Sequence, residues 1–184
     1  MHIQLDKVQP KNKIQLEQLI GYAFKHNIYD LNFIDTSKIT DMSNLFANCE
    51  YNIDVSNWDV SNVTNMYNMF FCCQNFNSDL SNWNVSNVTD MYSMFIACEN
   101  FKGKGLENWD VSKVTDIGGM FAGCENFNCD LSNWDMSNVT DMGYAFTDCE
   151  KFKGKGLENW NVSNVTSMRR MFDGCNKLTI PNWY

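Results

Sequence analysis

The side chains with chemical potential in this 184-residue chain are eight cysteines, two histidines and many aspartates and asparagines. Eight cysteines raise three chemistries: a disulfide framework, a thiolate metal site, or a reactive thiol. Their spacing argues against the first two. Cys49, Cys73, Cys98, Cys124, Cys149 and Cys175 each follow a phenylalanine at the same distance, once per repeat. A cysteine that returns in this way fills a core slot as a small apolar group, so reduced, buried thiols are expected. No C-x-x-C pair occurs, and no zinc site is expected. Cys72 and Cys129 fall out of register, aligning with Ala97 and Ser78. They are expected nearer the surface, and if any thiol reacts, one of these two is expected to. His2 and His26 both precede the repeats, and no G-x-S-x-G, P-loop or H-E-x-x-H phrase appears. The expectation is a non-enzymatic chain with no catalytic residue, no cofactor and no metal.

The acidic and amide side chains recur with a phrase. "NWDVSNVTNMYNMF" begins at Asn57 and returns, little changed, at Asn82, Asn108, Asn133 and Asn159. One polar column runs Asp35, Asp59, Asn84, Asp110, Asp135 and Asn161. On strands about 4.8 Å apart these residues would stack as a ladder on the strand face. Neighbouring carboxylates at that distance repel by about 3 kcal/mol at an effective dielectric of 20, and the interspersed asparagines limit the cost. Such a ladder could be a ribbon for a cation or polar ligand, or a structural device bonding itself and the turn backbone. Calcium needs six to eight converging oxygens, which a flat column does not offer, so the structural role is the stronger.

A surface specific for one partner needs varied side chains. The positions that vary most are Ser43/Asn44, Tyr67/Asn68, Tyr92/Ser93, Gly118/Gly119, Gly143/Tyr144 and Arg169/Arg170. Tyrosine and arginine are favoured interface anchors, so Tyr67, Tyr92, Tyr144, Arg169 and Arg170 are the candidate partner contacts, against drift at exposed sites as the alternative. Lys102, Lys104, Lys153 and Lys155 make two basic glycine loops that could meet an acidic partner or glycan, or simply be solvated turns.

These side chains need a repeating frame. Trp58, Trp83, Trp109, Trp134 and Trp160 mark a period alternating between 25 and 26 residues. The connections alternate too. "NFNSDLSNW" and "NFNCDLSNW" take turns with "NFKGKGLENW" and "KFKGKGLENW", so the unit could be a pair of coils. Leu80, Trp83, Val85 and Val88 follow the L-x-x-L-x-L-x-x pattern of a leucine-rich repeat strand. Val88, Met91, Met94, Phe95 and Cys98 then form a helix-like stripe, with Thr89 as N-cap and Asp90 at the first helical position. The reading is an α/β repeat solenoid: leucine-rich-repeat-like right-handed coils with a parallel strand face and short helical segments. One domain is expected over 1–184. Residues 11–27 form an N-terminal cap helix, with an Asn12/Gln15 capping box and an apolar face of Ile14, Leu16, Leu19, Ile20, Ala23 and Phe24. Residues 31–177 hold about six repeats, and 178–184 a C-terminal cap.

Composition bounds the partners. A net charge of −8 and a pI near 4.6 argue against nucleic acid. No run reaches the roughly 18–20 apolar residues of a membrane span. The start "MHIQLDKVQP" shows no export signal.

The phrase W-[DN]-V-S-N-V-T-x-M-x-x-M-F-x-x-C resembles the BspA-like leucine-rich repeat surface proteins, especially the branch found in mycoplasma lipoproteins and in spirochaete and lactic-acid bacterial surface proteins. "VTDMGYAFTDC" at Val139 is similar to the wider group's "SVTSIGxxAFxxC". The resemblance covers roughly residues 31–184. It implies a right-handed solenoid and adhesion or protein binding at a bacterial surface, with a protein or extracellular-matrix partner. The expected function is a monomeric, non-enzymatic adhesion or protein-interaction module, cell-surface or secreted by the resemblance. An intracellular scaffold or effector, or a self-assembling structural solenoid, are the alternatives.

Overall fold

The computed structural model describes residues 7–184. His2 and most of the stretch read for an export signal lie outside the described residues. Helix α1, Lys13–Lys25, opens the fold. Asn12 Oδ1 accepts from the Gln15 amide at 3.0 Å, and Gln15 Oε1 accepts from the Lys11 amide at 2.9 Å. The return bond of the capping box thus reaches one residue further back than the Asn12/Gln15 pairing implies. Leu16, Ile20 and Ala23 are buried, whereas Ile14 is 66% exposed and does not belong to the apolar face.

Beyond α1 the α/β architecture expected from the spacing is not what forms. Among the described residues there is no sheet and no strand face. The pairing consists of isolated parallel bridges, Asp41 to Asn65 to Asp90 to Asp116 to Asp141 to Ser167, with two more near the N-terminus. The remaining helical turns are single 3₁₀ turns at Leu106–Asn108 and Leu157–Asn159.

The backbone hydrogen bonds show why. In one rung, the amides of Met91, Ser93, Phe95 and Ala97 donate forward to the carbonyls of Asp116, Gly118, Met120 and Ala122, at 2.7–3.2 Å. The amides between them close local turns: Met94 to Met91, Ile96 to Ser93, Cys98 to Phe95. Bonds to the next rung and bonds within a turn therefore alternate along the chain. Ser93 and Ala97 both sit at φ 55°, in the left-handed region, and their counterparts in the other rungs do the same. A right-handed helix cannot run through such residues, and a strand cannot run through successive turns. The apolar spacing of three marks β-turn corners. Leu80 and Trp83, Val85 and Val88, Met91 and Met94, Phe95 and Cys98 are each joined by a three-residue turn bond, and both ends are buried.

Thr89 and Asp90 accordingly do not begin a helix. The Thr89 amide and Oγ1 both donate back to the Thr64 carbonyl, at 2.9 and 3.2 Å. Thr115, Thr140 and Thr166 repeat this on the threonine one rung before. The rungs from Thr64 to Thr140 are thus tied backward at the threonine and forward at the residue two further on, which is methionine in all but the rung of Ile117.

The apolar corners form one continuous cluster from Leu16 to Phe172. Phe46, Phe70, Phe95, Phe121, Phe146 and Phe172 stack in a file with centroids 5.5–5.9 Å apart. Each tryptophan indole N–H donates to a carbonyl of the preceding rung: Trp58 to Leu31, Trp83 to Val55, Trp109 to Leu80, Trp134 to Leu106, Trp160 to Leu131 and Trp183 to Leu157. The cysteines do likewise through sulfur. Cys73, Cys98, Cys124, Cys149 and Cys175 donate to Phe46, Phe70, Phe95, Phe121 and Phe146, at 2.9–3.0 Å.

The return loops explain the alternating period. Gly105 has φ 98°, and a Cβ there would lie 2.2 Å from the Ser81 amide nitrogen. Only glycine permits that approach. The neighbouring Lys104 pairs with Asp79 of the previous loop at 2.5 Å, and Lys155 pairs with Asp130 at 2.6 Å. The amides of Leu80 and Leu131 donate to the lysine carbonyls. Acidic and basic loops are therefore partners within a two-rung unit.

Candidate interaction surface

The expected strand-face ladder is a column of turns. Asp59, Asn84, Asp110, Asp135 and Asn161 each present Oδ1 to the amide of the serine two residues on, at 3.0–3.2 Å. The Ser112 and Ser137 side-chain and backbone bonds hold Asp110 and Asp135 below the usual carboxylate range. One side-chain oxygen of each is engaged by its own chain, and with no strand face there is no flat ribbon for a ligand.

The neighbouring asparagine of the S-N-V-T phrase is also committed. The Asn62, Asn87, Asn138 and Asn164 amides donate to Ser37, Ser61, Ser112 and Ser137 of the preceding rung at 2.6–2.8 Å. Lys113 stands in this column and instead donates to Asn87.

The candidate contacts occupy a different edge. Asp41, Asn65, Asp90, Asp116 and Asp141 each accept the amide of the residue two further on: Ser43, Tyr67, Tyr92, Gly118 and Gly143. The next residue in each rung, Asn44, Asn68, Ser93, Gly119, Tyr144 or Arg170, has positive φ. The backbone here is held by main-chain and Asx bonds, so the side chains at these two positions are free to differ. Tyr67, Tyr92 and Tyr144 are 37–40% exposed. Tyr67 and Tyr92 stack at 5.5 Å, and the Arg169 guanidinium lies 5.6 Å from the Tyr144 ring centre. Arg170 faces Asp173 at 3.6 Å. The structure groups Tyr92, Tyr144 and Arg169 around one open groove of 480 Å³, whose lining contains none of the five turn-column residues.

The sequence reading missed the carboxylates of this edge. Asp90, Asp116 and Asp141 follow one another in register through the bridges. Burial, then the charges of Asp141 and Asp90, push the Asp116 carboxyl above its ordinary range. No lysine or arginine among the described residues lies within ion-pair distance of Asp116. At the N-terminal end of the column, Lys13 reaches Asp41 at 3.4 Å. The signal was available as the recurrent aspartate of V-T-D-[MI], which a helical reading assigns to a first turn.

The eight cysteines are free. Burial pushes the Cys98, Cys124 and Cys149 thiols well above their ordinary value. Cys129 is buried rather than near the surface. Its thiol lies 3.6 Å from Glu107 Oε2 and is pushed up to about 12, by burial first and then by that carboxylate. Cys72 is half-buried, as is Cys175. Of the basic loops, Lys104 and Lys155 are already paired within the chain.

Among the described residues, no three His, Cys, Asp or Glu side chains converge as a metal site requires. No helix there is long and apolar enough to cross a membrane. The sequence profile of a family described as "Mycoplasma protein of unknown function, DUF285" matches residues 14–105 and again 89–183. The chain belongs to this family. The two overlapping matches span nearly all of the chain, and the family carries no assigned activity. No curated protein and no solved structure matches.

Proposed function

We propose that the chain is a non-enzymatic protein-interaction module that engages its partner along the edge bearing Tyr67, Tyr92, Tyr144, Arg169 and Arg170. The observation that carries this reading is where variation falls. The core corners and the threonine of each rung are nearly constant, whereas the residue two after each Asx position changes from Ser to Tyr to Gly to Arg; the two residues before each cysteine change as well, but they carry fewer of the tyrosines and arginines favoured at interfaces. The groove between Tyr92 and Arg169 adds concavity to that edge. The resemblance to BspA-like surface proteins supports adhesion at a bacterial surface as the setting.

The test is capture of a partner from host extracellular matrix and from native lysate. The wild type is compared with a variant carrying alanine at all five positions, whose fold is checked by its circular dichroism spectrum. A partner retained by the wild type and lost by the folded variant is the expected result. A partner held equally by both sinks the reading.

A further inference from the structure

One face of α1 has no partner among the described residues. Leu16, Ile20 and Ala23 are buried, which turns Ile14, Gln18, Gly21, Tyr22 and Lys25 outward. Ile14 is 66% exposed and Tyr22 59%, two of the three most exposed large apolar side chains among the described residues. Gly21 stands between them. Glycine is the poorest helix former after proline. Of the chain's ten glycines, seven have positive φ, and Gly118 and Gly143 have neighbours 3.1 Å from where a Cβ would stand. Gly21 has neither reason: a Cβ there would meet nothing within 4 Å. What a glycine on the outer face of a helix does offer is close approach to another backbone.

We propose that α1 pairs with α1 of a second copy of the chain, antiparallel and crossing at Gly21. The pairing leaves the variable edge free. Charge selects the occupant. Glu17 lies four residues before Gly21 and Lys25 four after it. The three form one row of the kind whose ridges and grooves set helix packing, and the row has no side chain at its middle, so two such rows can cross in contact. A two-fold axis at Gly21 sets the Glu17 of each copy against the Lys25 of the other, and a self-complementary patch is what a two-fold dimer requires. Glu17 and Lys25 are both exposed, and neither has an ion-pair partner among the described residues. A parallel pair would instead set like charges together. Ile14 and Tyr22 add apolar area on either side, and Tyr22 already rests on the His26 ring at 4.1 Å, so docking orders little that was free. Stacking of one chain onto this end of another is less suited, because it would displace α1, whose Leu16, Ile20 and Ala23 belong to the core. A single helix face is smaller than the roughly 1,200–2,000 Å² of a standard interface, so the dimer forms and dissociates with concentration.

The experiment is sedimentation equilibrium of the full chain over a concentration series. A dimer that grows with concentration and weakens with added salt is expected. Glu17→Lys and Lys25→Glu each turn two attractions into two repulsions, and each should weaken the dimer about fivefold or more. Both changes in one chain should restore it. So should an equal mixture of the two single variants, because every facing pair is then opposite in charge. Gly21→Ala occupies open space and favours the helix, so it should raise the thermal midpoint of the dilute protein while weakening the dimer. A glycine serving only the chain's own fold would not separate those two readings. A chain that stays monomeric at every concentration, or single variants that the mixture does not rescue, overturns the proposal. The variant with alanine at Tyr67, Tyr92, Tyr144, Arg169 and Arg170 should dimerise as the wild type does, so a failure of the variable edge and a failure of this pairing are told apart.

Discussion

Ala97 and Gly123 occupy equivalent places in consecutive rungs, and a swap between them separates turn from helix by sign. Ala97 sits at φ 55° and Gly123 at φ 74°. In a helix interior, Ala97→Gly would cost about 1 kcal/mol. In the left-handed turn, the alanine already bears a steric penalty of about 1–2 kcal/mol, which glycine removes. Against this, glycine gives the unfolded chain extra freedom worth about 0.4–1 kcal/mol. The net expectation is stabilisation of about 0.5–1 kcal/mol. Gly123→Ala should destabilise by a similar amount through strain alone, because its new Cβ would meet the Ala97 Cα at an ordinary 3.4 Å. Urea unfolding followed by tryptophan fluorescence measures both, and for a chain of this size 1 kcal/mol corresponds to roughly 2–4 °C in the thermal midpoint. Loss of about 1 kcal/mol in Ala97→Gly, or a gain in Gly123→Ala, would refute the turn-built rung.

Trp134→Phe deletes the indole donor to the Leu106 carbonyl at 2.8 Å and leaves a small void, so it should lower stability by about 2 kcal/mol in the same urea assay. Alkylation of the native protein at pH 8, mapped by mass spectrometry, should label Cys72 before Cys98, Cys124, Cys149 and Cys129, since burial raises all of these thiols and Cys72 is the least enclosed of them. Bonds from Lys104 and Ser81 hold Asp79 at about 2, and bonds from Lys155 and Ser132 do the same for Asp130. Their folded values lie below the unfolded one near 3.9, so their stabilisation is complete above that pH and fades as pH falls toward 2. With both carboxylates more than a third exposed and both lysines in solvent, each pair contributes little, and Asp79→Asn should flatten the melting-temperature curve slightly and only in that window. Asp116 runs the opposite way: its raised carboxyl opposes folding when ionised, so Asp116→Asn should raise the thermal midpoint at pH 7 and change nothing below the unfolded carboxyl range.

The period and the stacking of aromatic and sulfur files could be read from residue types and spacing. The backbone path could not. Val88, Met91, Met94, Phe95 and Cys98 satisfy a helical stripe and a chain of turn corners equally well, because both bring residues three apart to one side. The deciding feature, a left-handed residue twice per rung, is carried by Ser93 and Ala97 in one coil, neither of which advertises it. Gly119, Gly123 and Gly174 do stand at such positions, as do several asparagines. Comparing rungs for glycine and asparagine, rather than reading one rung for apolar period, would have exposed the turns. The polar column failed as a strand face for the same reason. Asp59 and its counterparts look outward-facing when alternation is assumed, but an aspartate two residues before a serine is equally the sequence of an Asx turn.

The frame also gives a physical reason for the edge to vary. In every full rung the Asx oxygen, the turn bonds and the threonine link account for the local backbone without using the side chains at the two positions that follow the Asx residue. A substitution there therefore costs the frame little, provided the second position tolerates positive φ. Tyr144 and Arg170 meet that condition at φ 59° and 51°, conformations that strain any side chain with a Cβ. Large residues stand where glycine, present at Gly119 in the adjacent rung, would relieve the strain. The same holds for Asp116, whose charge opposes folding although Asn65 shows that an amide makes the same turn. Strained Tyr and Arg beside unrelieved carboxylates are what an edge would hold if it were shaped by what it contacts rather than by its own stability.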